Sequence, residues 1–145
     1  MAYNNALSSY KETRIKTASQ GQLIIMLYDE AVKQLNRALE LVNSERKESG
    51  RIEQISKAVM KTEEIVTELM VSLDFEHGGD ISKNLFALYT WFNRELLEAN
   101  ITRDEQRLTA VRDMLSELRN TWNEIISKNA AEPANREVVG LNIAG

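Results

Sequence analysis

This chain of 145 residues contains no cysteine, one proline and one histidine. Without cysteine there is no disulfide framework, thiol nucleophile or thiolate metal site, and nothing calls for an oxidising compartment. The one histidine, His77, stands beside Gly78 and Gly79 with no catalytic or ligating partner in register, so it reads as a solvated loop residue. Basic residues are not in excess. The formal net charge of -4 argues against a nucleic acid, or an anionic membrane, recognised by bulk charge. No apolar run approaches the about 18 residues of a membrane span. The first ten residues are polar and lack a signal-peptide core, so no membrane insertion is expected. In that setting the sequon Asn100-Ile101-Thr102 reads as chance.

The motifs of catalysis are missing too. Gly78-Gly79 lacks both the Lys-Ser/Thr of a phosphate loop and a preceding strand. No Glu-x-x-His pair points to a bundle metal site. Carboxylates such as Glu63 and Glu64 fall on polar helix faces, and no nucleophile meets a base. The chain reads as no enzyme, with no cofactor and no metal.

What is present is helical periodicity. In Thr17 to Ala31, Ser19 can cap a helix with Gln22 as its capping-box partner, and Leu23 to Tyr28 form an unbroken apolar block. Such a block covers more of a helix than the roughly 100° stripe of a surface helix. The spacing predicts helices over about Gln20 to Arg46, Arg51 to Leu73, Ile81 to Ala99 and Arg103 to Lys128. Core stripes are expected at Ile24, Leu27, Ala31, Leu35, Ala38 and Val42, and at Ile52, Ile55, Val59, Val66, Leu69 and Leu73. The third stripe is Ile81, Leu85, Leu88, Phe92, Leu96 and Ala99; the fourth is Leu108, Val111, Leu115, Leu118, Trp122 and Ile126. Breaks are predicted at Glu48-Ser49-Gly50 and at the turn 74–80, with Asp80 as the cap of the third helix. Thr102 to Glu105 reads as a second capping box.

Short connections between long amphipathic helices make neighbours antiparallel, and the predicted fold is an all-α up-down four-helix bundle. One bundle domain is expected over residues 1–128, its first 18 residues a short cap segment, with a flexible tail over 129–145 that contains Pro133.

Met60 and Val71 on the second helix, and Phe86 and Leu97 on the third, lie off their core stripes. Periodicity alone allows either a wide core face or a hydrophobic groove for an amphipathic partner helix. Trp122 fits the core stripe, whereas Trp91 lies on a flank and could serve either purpose. Ile25 and Tyr28 extend the apolar face of the first helix sideways, where another segment could pack.

Thr17-Ala18-Ser19, Leu23 to Ala31, Leu73 to Glu76, and Leu118-Arg119 with Trp122 together resemble the FliS family of flagellin-specific export chaperones. Thr17-Ala18-Ser19 followed by Leu23 to Ala31 resembles its N-terminal signature, with Tyr10 seven residues before Thr17. Leu73-Asp74-Phe75-Glu76, Gly78-Gly79, Ile81, Asn84-Leu85 and Leu88-Tyr89 match its turn between the second and third helices. Asn93-Arg94, Leu96, Glu98-Ala99-Asn100, Leu118-Arg119 and Trp122 continue the match. Gln20 and Glu30 stand where the family often has proline and glycine, and both are mild departures. The resemblance implies a cytoplasmic chaperone that holds the C-terminal amphipathic segment of flagellin, prevents early polymerisation and assists its delivery to the flagellar type III export gate. A co-chaperone and a homodimer are left open. The client surface then expected comprises Leu7, Tyr10, Ile15, Ile25, Tyr28, Met60, Val71, Phe86, Trp91 and Leu97. Family behaviour implies that the segment around Tyr10 covers apolar surface in the free protein and moves when the client binds, the alternative being a fixed structural cap. A structural or adaptor bundle without an unfolded client is the alternative reading.

Overall fold

The computed structural model describes residues 20–46 and 48–131. Four helices follow one another: α1 (Gln20–Asn43), α2 (Arg51–Val71), α3 (Phe75–Thr102) and α4 (Glu105–Ala131). α1 packs against α2 and α4, and α3 closes the ring by packing against the same two helices. This is the expected all-α four-helix bundle. Its core is formed by the predicted stripes, with Leu35, Val59, Val66, Phe92, Leu96, Leu108, Val111 and Leu115 fully buried. Gly21 admits α4 closely: a Cβ at that position would stand 3.0 Å from the Ile126 side chain.

Helix ends differ from the sequence expectation in ways that local chemistry explains. α1 stops at Asn43 rather than Arg46. Its terminal carbonyls are met from the next helix, where the Arg51 guanidinium donates to Leu41 O at 2.8 Å and Val42 O at 3.5 Å. A cation at a helix C-terminus also suits the helix dipole. Gly50, at φ 84°, makes the predicted break before α2.

The turn before α3 is itself mostly helical. Asp74, rather than Asp80, caps its first turn by accepting from Glu76 N and His77 N. The His77 ring completes the cap with a 2.6 Å contact from Nδ1 to Asp74 Oδ2, and this hydrogen bond holds the Asp74 carboxyl below its ordinary range. Gly79 then breaks the helical path at φ 51°, ψ -126°, which glycine alone adopts readily. At its other end α3 runs on to Thr102, past the predicted Ala99, because Arg103 takes the left-handed conformation and its N–H closes on Ala99 O. α4 is capped by Asp104, which accepts from Gln106 N at 2.9 Å, and not by a box starting at Thr102. The Thr102 hydroxyl instead donates back to Glu98 O.

Two stripe residues are not core. Ile52 and Ile81 are 53% and 47% exposed. Each stands in the first turn after a glycine break, at an end of the bundle where neighbouring helices cover it less. The cap segment, the Ser19 capping box and the tail beyond Ala131 lie outside the described residues.

Candidate functional site: the outer face of α2 and α3

A helix needs one covered face, and α2 and α3 carry apolar side chains on a second. Met60 (54% exposed) and Val71 (76%) stand on α2; Phe86 (44%), Leu97 (53%) and Ile101 (63%) stand on α3. Positions 60 and 71 are eleven residues apart, about three helical turns, and so share one face. Phe86 and Leu97 repeat that spacing on α3. The four off-stripe residues of the sequence reading are therefore all turned to the surface, on two adjacent helices. At the α2–α3 turn the ring of Phe75 packs edge-on against Phe86, centroids 5.9 Å apart. Phe75 and Ile101 extend the apolar face beyond what periodicity had marked. Both sit in the first or last turn of α3, outside the Ile81 to Ala99 span from which its faces were read.

Between the two helices runs an open groove of about 850 Å³, with Met60 and Leu97 among its lining residues. Its walls also carry Glu63, Glu64, Thr67 and Asn93. The Asn93 side-chain amide donates across the groove to Thr67 Oγ1 at 3.1 Å, and the Thr67 hydroxyl donates on to Glu63 O at 2.9 Å. Burial lifts the Glu63 carboxyl above its ordinary range, and the neighbouring Glu64 charge adds to the effect. Burial raises the Glu64 carboxyl as well.

The remaining candidate residues fall elsewhere. Tyr28 is completely buried, with its hydroxyl bonded to that of Tyr89 and accepting the Trp122 indole N–H at 3.1 Å. Ile25 is 8% exposed and belongs to the same core cluster. The sideways extension of α1 is thus inward, because two polar hydroxyls satisfy one another and let both tyrosine rings into the core. Trp91 is half-buried against the core, with its ring 5.7 Å from that of Phe92. Leu7, Tyr10 and Ile15 lie outside the described residues. Among the described residues no group of acidic, His or Cys side chains could hold a metal ion, and no helix is long and apolar enough to cross a membrane.

The residues 3–129 match the family of the flagellar protein FliS. The chain is 36% identical over 118 residues to the flagellar secretion chaperone FliS of Salmonella typhimurium, covering 81% of this chain and 84% of that protein. It is 31% identical over 125 residues to the FliS of Campylobacter jejuni, across 86% and 94% of the two chains. With the FliS of Bacillus subtilis it shares 27% over 126 residues, across 87% and 90%. A match that spans all four helices makes this chain a member of the FliS family.

Proposed function

We propose that this protein is a flagellin export chaperone. In the cytoplasm it holds the C-terminal amphipathic segment of flagellin, prevents its early polymerisation and hands it to the flagellar type III export gate. The observation that carries this reading is the second apolar face: Met60, Val71, Phe86 and Leu97 are exposed on a bundle whose core is already filled. Exposed apolar surface of this extent on two adjacent helices suits an amphipathic helix laid along a groove. Ordering a disordered client costs free energy, which lets a large wrapped interface remain releasable. Holding a segment in this way requires neither a cofactor nor a covalent step.

The client surface in this reading is centred on Met60, Val71, Phe86 and Leu97, with the half-buried Trp91 on the flank of α3. Ile25 and Tyr28 are buried in the core and lie outside this client surface. Leu7, Tyr10 and Ile15, in the segment 1–18, serve as a cover that the client displaces. Amide exchange of residues 1–18 tests that step, since displacement lowers their protection when flagellin peptide is added. Unchanged or increased protection counts against it.

Titration of labelled flagellin C-terminal peptide into the purified protein tests the function itself. Saturable binding at micromolar concentration is expected. Its absence removes the chaperone reading and leaves an adaptor bundle.

A further inference from the structure

The α2–α3 groove, whose lining also includes the cations Lys57, Lys61 and Arg94, carries three unpartnered polar atoms whose chemistry is all of one kind. Glu63 Oε1, Glu64 Oε2 and Asn93 Oδ1 are shielded from solvent and have no hydrogen-bond partner. All three are acceptors, and all three residues line the groove beside the exposed Met60 and Leu97.

The orientation of Asn93 follows from its neighbour. The Thr67 hydroxyl has one hydrogen and gives it to Glu63 O, so toward Asn93 it can only accept. Asn93 must therefore present its NH₂ to Thr67, and its carbonyl Oδ1 is left over as an acceptor. Glu63 and Glu64 are acceptors by being carboxylates, and both have carboxyls raised by burial, the mark of charge without adequate compensation. Buried acceptors without donors are rare in folded proteins, and each asks for an explanation.

The geometry points to a groove that selects its client helix by hydrogen-bond donors as well as by apolar anchors. The occupant is an amphipathic helix that places apolar side chains on Met60 and Leu97. Between them it places an Arg, Lys, Asn or Gln whose N–H groups reach Glu63, Glu64 and Asn93. The inference rests on the proposed client role and adds the chemistry that fixes the client's register. Rotation of a carboxylate about its terminal torsion is soft and turns its oxygen toward an incoming donor. An apolar groove alone would let a helix slide by one turn; buried acceptors penalise every register that leaves them empty.

The test uses the full-length protein and a synthetic peptide of the flagellin C-terminal segment, followed by fluorescence anisotropy. Glu63→Met and Asn93→Leu make the groove more apolar while removing the acceptors. If the acceptors select the client, each variant binds the peptide about tenfold more weakly or worse, although apolar area has been gained. Unchanged or tighter binding overturns the inference. The reciprocal measurement keeps the wild-type protein and replaces the Arg, Lys, Asn and Gln residues of the peptide by Met, one at a time. One or two replacements should reproduce the loss, and equal binding by all of them overturns the inference whether or not the protein variants fold. A wild-type protein that binds no peptide removes the chaperone reading and this inference together. Binding that is indifferent to the acceptors removes this inference alone.

Discussion

Trp122 on α4 donates its indole N–H to the hydroxyl of Tyr28 on α1 at 3.1 Å, and that hydroxyl is bonded in turn to Tyr89 on α3. Three helices are thereby tied through one oxygen in a region with no access to water. Tyr28→Phe removes that oxygen and leaves both the Trp122 N–H and the Tyr89 hydroxyl without this partner. The expected loss is about 1–3 kcal/mol, read as a lower denaturant midpoint with an unchanged slope. Tyr89→Phe keeps the Trp122 bond and costs less. Equal losses from the two variants would show that Tyr28 is not the hub.

The same pair sets an alkaline limit on stability. Burial pushes the Tyr89 phenol up to about 12, and burial together with Tyr89 pushes Tyr28 well above its ordinary value of 10.0. Both folded values are raised, so the folded state retains protons that the unfolded chain releases near pH 10. The stabilisation is complete below the unfolded value and is lost as pH rises from about 10 through the folded values. Denaturant midpoints should stay level to about pH 9 and fall steeply above 10. The Tyr89→Phe variant should show a shallower fall, measured from its own lower start.

These two tyrosines also mark where the sequence stops being readable. Periodicity identified the stripes through Leu35, Val59, Leu96 and Leu115 because only apolar residues recur there at the helical period, and all four are fully buried. It placed Tyr28 on a flank and left Tyr89 out of its stripe, since a hydroxyl normally draws a ring toward water. What changes the outcome is a partner 61 positions away in the chain, and helical spacing carries no trace of such a pairing. The candidate site divides in the same way. Met60, Val71, Phe86 and Leu97 were legible because each breaks the phase of its own helix. The acceptor character of Asn93 was not, because it depends on which atom Thr67 has left to offer.

Gly79 separates conformational strain from packing. Its φ of 51° and ψ of -126° lie outside the regions open to other residues, yet a Cβ there would meet nothing within 4 Å. Gly79→Ala should cost about 1–3 kcal/mol from backbone strain alone. Gly50, at φ 84° and ψ -1°, lies closer to the left-handed helical region, so Gly50→Ala should cost less. Thermal melts by circular dichroism rank the two, and a neutral Gly79→Ala would mean that the kink relaxes into continuous helix.

Glu63 lowers stability at neutral pH for the reason that makes it interesting for binding. Its folded carboxyl is raised, so its protonated form is favoured in the folded state and stability is lost as pH rises from the unfolded value through the folded one. Glu63→Gln should therefore stabilise the bundle at pH 7, by no more than about 1 kcal/mol once solvent screening is allowed for. The gain should vanish below about pH 4, where the wild-type carboxyl is protonated in both states. A gain that persists into acid would assign the effect to the amide's hydrogen bonds and not to the charge.

Leu96 and Leu97 are adjacent in the chain and opposite in environment: Leu96 is fully buried and Leu97 is 53% exposed. The same substitution at the two positions should give opposite results, which makes the pair a sharper test of the client face than either alone. Leu96→Asp places an unpaired charge in the core, should cost more than about 4 kcal/mol, and should unfold the bundle. Leu97→Asp meets water, should change stability by about 0.5 kcal/mol or less, and should leave the helical spectrum intact. With the fold intact, its effect on the flagellin peptide can be read directly. A face that binds through apolar anchors cannot accept a carboxylate in their midst without desolvating it, so affinity should fall by about tenfold or more. Retained affinity in a folded Leu97→Asp protein would move the client off this face. Loss of the fold would instead place Leu97 among the side chains that hold α3 to its neighbours.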